Sequence, residues 1–216
     1  MKRKEKIKWT EPLLIETFGL HRIVDPITDK LKQWITVDTE KLPQDTEKLA
    51  ELRKELIENV DFWNEEELKM NFIAPILNQF VKYKSAHYNT YFDRTIAATI
   101  NDIPLSTEPD FMIAKGILGL VRNPYFCFHE YKRSKKNPDD PVAQVLIAML
   151  IAQATNKNAN PIYGVYNIGR DWFFMLLEDK TYTISKSFDS TEITDLIQIV
   201  QILQKFKYIL ETELLV

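Results

Sequence analysis

The apolar residues of this chain change their spacing once, near Tyr88, and that change limits the fold more than any other feature. Before it, "EPLLIETFGLHRI", "TEKLAELRKELIENV" and "NEEELKMNFIAPILNQFVKY" carry apolar residues three and four apart, the repeat of a helix with one buried face. After it, "YNTYFDRTIAATI", "IPLSTEPDFMIAKG" and "PYFCFHEYKR" are rich in aromatic and β-branched residues and punctuated by Asn, Asp, Gly and Pro. These runs predict three antiparallel strands joined by short turns, one turn at Asn101-Asp102. "DDPVAQVLIAMLIAQATN" returns to helix, capped by Asp139 or Asp140 and with Pro141 in the first turn; its interior is apolar nearly all round, as a buried helix requires. "IYGVYNIG", "DWFFMLLE" and "KTYTISKSFD" predict more strands, with turns at Gly169-Arg170 and Glu178-Asp179, and "STEITDLIQIVQILQKFKYILETELL" predicts a closing amphipathic helix. Helices, three strands, helix, strands, helix is the order of an α/β (α+β) domain with a mixed central sheet flanked by helices.

The third helical segment has the clearest start. Asn64 suits an N-cap, three glutamates follow where the helix dipole favours them, and Phe72, Ile73, Ile76, Leu77 and Phe80 form an apolar stripe that continues past Pro75, which predicts a kink there. A proline-containing break, "EKLPQD", separates the first and second segments. With 216 residues the chain has room for one substantial domain, read as a main unit over 59–216 preceded by a helical N-terminal extension over 1–58. No stretch approaches the ~18 consecutive apolar residues of a membrane helix. The basic start "MKRKEKIKWTEP" lacks an apolar follow-on and reads as a disordered tail, so a cytoplasmic protein is expected. A single cysteine, Cys127, excludes an internal disulfide framework and a multi-cysteine zinc site. A net charge of −3 argues against coating nucleic acid by bulk electrostatics, but leaves room for a local basic groove or for carboxylates that a metal neutralises.

The candidate chemistry lies in "PYFCFHEYKRSKK". Alternation along a strand places Phe126, Phe128, Glu130 and Lys132 on one face, and Tyr125, Cys127, His129 and Tyr131 on the other. The first face begins apolar and ends in an acid and a base, which are costly to bury without partners. Pro109-Asp110 opens the preceding strand. Pro138-Asp139, Glu67-Leu68-Lys69 and Glu178-Asp179-Lys180 are similar strings, but they fall on a loop, a helix and a turn, whereas Asp110, Glu130 and Lys132 fall on neighbouring strands followed by a helix. Pro109-Asp110 with Glu130-Tyr131-Lys132 resembles the motif of the PD-(D/E)XK nuclease superfamily, over roughly residues 60 to 190. A narrower likeness, carried by "NEEELK…FIAPIL", "HEYK" and "IYGVYNIGRDWFF", is to a set of uncharacterised bacterial nuclease-like proteins.

The resemblance implies a restriction-endonuclease-like core and a metal-dependent phosphodiester hydrolase acting on nucleic acid, with DNA placed ahead of RNA. Asp110 and Glu130 would hold Mg²⁺ or Mn²⁺, leaving positions for water and phosphate as Mg²⁺ sites usually do, and the Tyr131 carbonyl would be a further ligand. Lys132 would orient or help deprotonate the attacking water and stabilise developing charge. Glu65 or Glu66, seven residues before Phe72 and Ile73, would join the metal site from the helix, and Gln144 would aim an amide at phosphate or water. The family's accompanying tyrosine four residues later is absent, Ala148 standing there. Arg133, Lys135 and Lys136 could grip phosphates or form a solvated loop. Cys127 with His129 is set aside as a nucleophilic pair, because that face opposes Glu130 and buried cysteine is common. A catalytically inactive nuclease-fold module that binds nucleic acid or regulates a partner is the alternative. A homodimer or a protein partner through the N-terminal helices is a further expectation, and no membrane role is expected.

Overall fold

The computed structural model describes residues 7–38, 45–117, 119–133 and 140–215. Its helices are α1 (Glu11–Phe18), α2 (Asp29–Ile35), α3 (Thr46–Asn59), α4 (Glu65–Leu68, running on through π-helical Lys69–Ile73 and Ile76–Val81), α5 (Pro141–Asn156) and α6 (Ile193–Ile209). The strands are β1 (His21–Ile23), β2 (Asn89–Phe92), β3 (Ile96–Ile100), β4 (Ile103–Thr107), β5 (Phe111–Ile117), β6 (Leu120–Lys132), β7 (Ile162–Ile168), β8 (Asp171–Glu178), β9 (Thr181–Ile184) and β10 (Phe188–Asp189). Eight of them build one mixed sheet in the order β1-β9-β8-β7-β6-β5-β2, with β10 also on β8; β6 with β7 and β1 with β9 are the parallel pairs. No described helix is long and apolar enough to cross a membrane.

The sheet has an apolar cluster on each side. One joins Leu31, Trp34, Leu56, Phe72 and Phe80 to Leu203 and Phe206, so α2, α3, α4 and α6 share a core. The other gathers Leu14, Phe18, Leu105, Phe128 and Met149, so α1, α5 and the β3–β4 hairpin share the opposite one. The first segment of the chain is tied into both layers, and β1 adds a parallel strand to β9.

Three expectations change. "EPLLIETFGLHRI" is not one helix: Gly19, at φ +65°, takes the left-handed C-cap conformation, and His21–Ile23 becomes a strand that the β9 edge recruits. The three strands expected after Tyr88 are five. Asn101 and Asp102, both at positive φ, close a separate β3–β4 hairpin, while β2 pairs with β5 instead. Phe126 does not share a face with Phe128: Ile113 pairs with Cys127 and Ala114 with Tyr125, leaving Phe126 as the extra residue of a β-bulge, and it joins Cys127 in the cluster of α4 and α6.

Asn64 is the N-cap that the sequence predicts, and at Pro75 the helix changes its turn rather than stopping. The N-cap at Asn64 is a full capping box, Asn64 Oδ1 accepting from the Glu67 amide and Glu67 Oε2 from the Asn64 amide. Pro75 lacks the N–H a helix interior needs, and the chain answers with wider π turns before and after it. Asp140 caps α5 by accepting from the Ala143 amide; Asp139, Lys135, Lys136 and the basic start at residues 1–6 lie outside the described residues.

Candidate functional site

Where β5 begins and β6 ends, side by side in the sheet, Asp110, Glu130 and Lys132 come together at 9%, 3% and 6% exposure. Lys132 Nζ donates to Glu130 Oε1 at 2.8 Å, and Asp110 Oδ2 accepts from the Tyr131 amide at 2.7 Å. In an extended strand the N–H and C=O of one residue project to the same edge, so the Tyr131 carbonyl also faces the Asp110 side. The Tyr131 ring points away into the core, where its hydroxyl meets His129 Nδ1 at 2.8 Å.

The first turns of α4 close the site from above. Glu65 Oε1 lies 3.7 Å from both Lys132 Nζ and Lys69 Nζ. Lys69, which the sequence marks only as the end of the helical string Glu67-Leu68-Lys69, donates to Asp110 Oδ1 at 2.8 Å and lies 2.9 Å from Glu66 Oε1. A signal for it existed: Glu65 and Lys69 are four apart, and Phe72 and Ile73 follow at three and four, so an inward Glu65 carries Lys69 inward too. Glu65 and Glu66 separate, for Glu65 joins the network while the Glu66 side chain stays largely in solvent and reaches Lys69 from outside.

Four carboxylates and two ammonium groups leave this network with an excess of negative charge. Its effect shows on Glu130. Burial, then the charge of Asp110, push its carboxyl up, and the pull of Lys132 only partly offsets them, so its pKa rises to about 7. For Lys69 burial alone would favour the neutral amine, yet the hydrogen bonds to Asp110 and Glu66 outweigh it and hold the group above its ordinary value. Lys132 follows the same balance, with Glu130 outweighing burial. Both lysines are therefore cations at neutral pH.

The donor set suits a hard divalent cation: two buried carboxylates and a backbone carbonyl, with negative charge to spare and no soft ligand. Among the described residues no group of three or more His, Cys, Asp or Glu side chains is gathered to hold a metal. A cation here would rest on two carboxylates and would compete with Lys69 for Asp110.

Among the described residues, the remaining candidates make no hydrogen bond or ion pair with this network. Gln144 sits in the first turn of α5 with its Oε1 buried and without a hydrogen-bond partner. Arg133 donates to the Asp61 carbonyl at 3.2 Å, and Arg170 pairs with the Asp61 carboxylate at 3.3 Å. Cys127 is buried, and burial pushes its thiol well above the ordinary value, which leaves it a packing residue. Trp172 and Phe174 are sheet core, while Phe173 stacks on Tyr166. No protein-family model and no curated protein matches the chain.

Proposed function

We propose that the protein is a metal-dependent phosphodiesterase acting on nucleic acid, of the PD-(D/E)XK kind, with DNA placed ahead of RNA. The observation that carries this reading is the meeting of Asp110, Glu130 and Lys132 at adjacent strand ends within a network that has more negative than positive charge. Asp110, Glu130 and the Tyr131 carbonyl would hold Mg²⁺ or Mn²⁺, whose chemistry is to neutralise charge on the phosphoryl oxygens and make a water more acidic. Lys132, charged and held by Glu130 and Glu65, stabilises the negative charge that develops as the phosphodiester bond breaks. Lys69 keeps Asp110 in place and offers a second positive group beside the phosphate.

An inactive, nuclease-fold binding module is the second reading, and one feature favours it: each of the two central carboxylates already has a lysine partner. A protein partner or a second copy acting through the N-terminal helices would meet their outer faces, since Leu31, Trp34, Leu49 and Leu56 are spent on the core.

Cleavage of single- and double-stranded DNA and RNA with Mg²⁺ or Mn²⁺ tests the proposal, alongside Asp110→Asn and Lys132→Ala. Cleavage by the parent, lost in both variants, is the expected result. A folded parent that neither cleaves nor binds Mn²⁺ overturns it in favour of the binding module.

A further inference from the structure

A cavity of about 220 Å³ opens directly beside the charged network, between the π turn of Lys69–Ile73 and the end of the edge strand β2. It shares walls with the candidate site, because Lys69 and Asp110 line both. The opposite walls are apolar. Ile73 is buried, but Met70 and Phe92 remain 69% and 47% exposed, two of the larger apolar side chains the fold leaves in water. The Phe92 ring makes an edge contact with Phe111, 5.2 Å between centroids at 65°. Asp93, in left-handed backbone at φ +48°, adds a carboxyl to the rim.

These features select an occupant. The volume is below the ~300 Å³ at which pockets for drug-sized molecules begin, which suits one planar ring system and is too small for a folded peptide segment. One end is apolar and carries an aromatic ring; the other carries an ammonium and carboxylates, donors and acceptors of the kind that meet the edge of a base. Being continuous with Asp110, the cavity is also within one nucleotide of any phosphate held there. We propose that it receives a single unpaired nucleobase from the nucleotide whose phosphate lies at Asp110 and Lys132, so that the substrate is single-stranded or locally splayed nucleic acid. This rests on the phosphodiesterase reading and deepens it. A base inside a duplex is stacked and paired and cannot enter a recess; taking it out costs a few kcal/mol, a cost a single strand does not carry. Stacking on an aromatic side chain is worth about 1–3 kcal/mol per base and tolerates any sequence.

The test measures binding by fluorescence anisotropy, with Lys132→Ala protein to prevent turnover. The probes are a labelled 12-nucleotide single strand, its duplex, the same strand with abasic residues throughout, and the RNA counterpart. The intact single strands are expected to bind at least ~10-fold more tightly than either the duplex or the abasic strand, in line with one stacked base. Adding Phe92→Ala should bring intact and abasic strands to the same affinity. Met70→Ala, at an exposed position, should narrow the gap and guards against a folding defect at Phe92. Equal binding of intact and abasic strands, or a gap unchanged in both variants, overturns the cavity's role. If the parent protein still cleaves nucleic acid with metal, the phosphodiesterase reading survives that result. Absence of binding to every strand, together with absence of cleavage, takes both down.

Discussion

The two faces of β6 bury their last residues almost equally and solve the problem of buried polarity in opposite ways. On one face His129 gives up its charge: burial pushes the imidazole pKa down to about 3, and the neutral ring shares a hydrogen bond with the Tyr131 hydroxyl. On the other, Glu130 and Lys132 answer each other and reach Glu65, Asp110 and Lys69 across two further elements. Depth therefore does not mark the site. What marks it is that one face discharges its titratable group among apolar neighbours, whereas the other keeps its charges and ties them into a network with more negative than positive charge.

The largest test of that contrast is catalytic. Lys132→Ala is expected to lower single-turnover cleavage by at least ~10²-fold, as loss of a positioned charge or proton-transfer group does. His129→Leu, three residues away among the Tyr131 and Phe111 rings, should leave the rate within a few-fold at a temperature where both variants are folded. Equal losses would erase the distinction between the faces.

Next comes pH. Glu130 has its folded pKa raised to about 7 from 4.5, so its contribution to stability is present below pH 4.5 and is lost as the pH climbs through 7. His129 has its folded pKa lowered to about 3 from 6.5, so its contribution is present above pH 6.5 and is lost as the pH falls through 3. The two arms have opposite slopes. In urea unfolding of the metal-free protein, the Glu130 arm should amount to something on the order of 2–3 kcal/mol between pH 4.5 and 8. Glu130→Gln should flatten that arm alone and His129→Leu the acid arm alone; a variant that flattens the other's arm contradicts the assignment.

The smallest effect concerns Lys69. Because its ammonium occupies an Asp110 oxygen, Lys69→Met should tighten Mn²⁺ binding by roughly tenfold, about 1.4 kcal/mol, while lowering the stability of the metal-free protein. Calorimetric titration reads the first and denaturant unfolding the second. Unchanged Mn²⁺ affinity would show that the lysine does not compete at this position.

Much of this was legible in the sequence for a physical reason. Asp110, Glu130 and Lys132 stand out because period-two alternation fails to explain charges on an apolar face. Lys69 was hidden because a lysine after three glutamates on a helix is ordinary surface chemistry, and only the packing of α4 over the strand ends makes it inward. β1 has three residues, two of them exposed, and is a strand only because the β9 edge lies beside it. α2, with seven residues, went unread for the same lack of local signal, although Trp34 is among the most deeply buried side chains and donates its indole N–H to the Ile202 carbonyl. Elements defined by their own periodicity were readable, and elements defined by a neighbour were not.

The extra residue at Phe126 has a bearing on how this strand could change through insertion and deletion. Side chains alternate strictly, so adding or removing one residue between Cys127 and Lys132 would exchange the discharged face for the charged one and bury Glu130 in hydrocarbon. Upstream the strand is already out of step. The bulge resets its phase, and a second offset follows, where Ala114 pairs with Tyr125 but Lys115 with Arg122, so the arm from Leu120 to Arg122 keeps its own count against β5. A one-residue change in that arm can be absorbed at these irregularities, leaving the Glu130–Lys132 end in register; the strand behaves as two lengths of ribbon joined by a slip coupling.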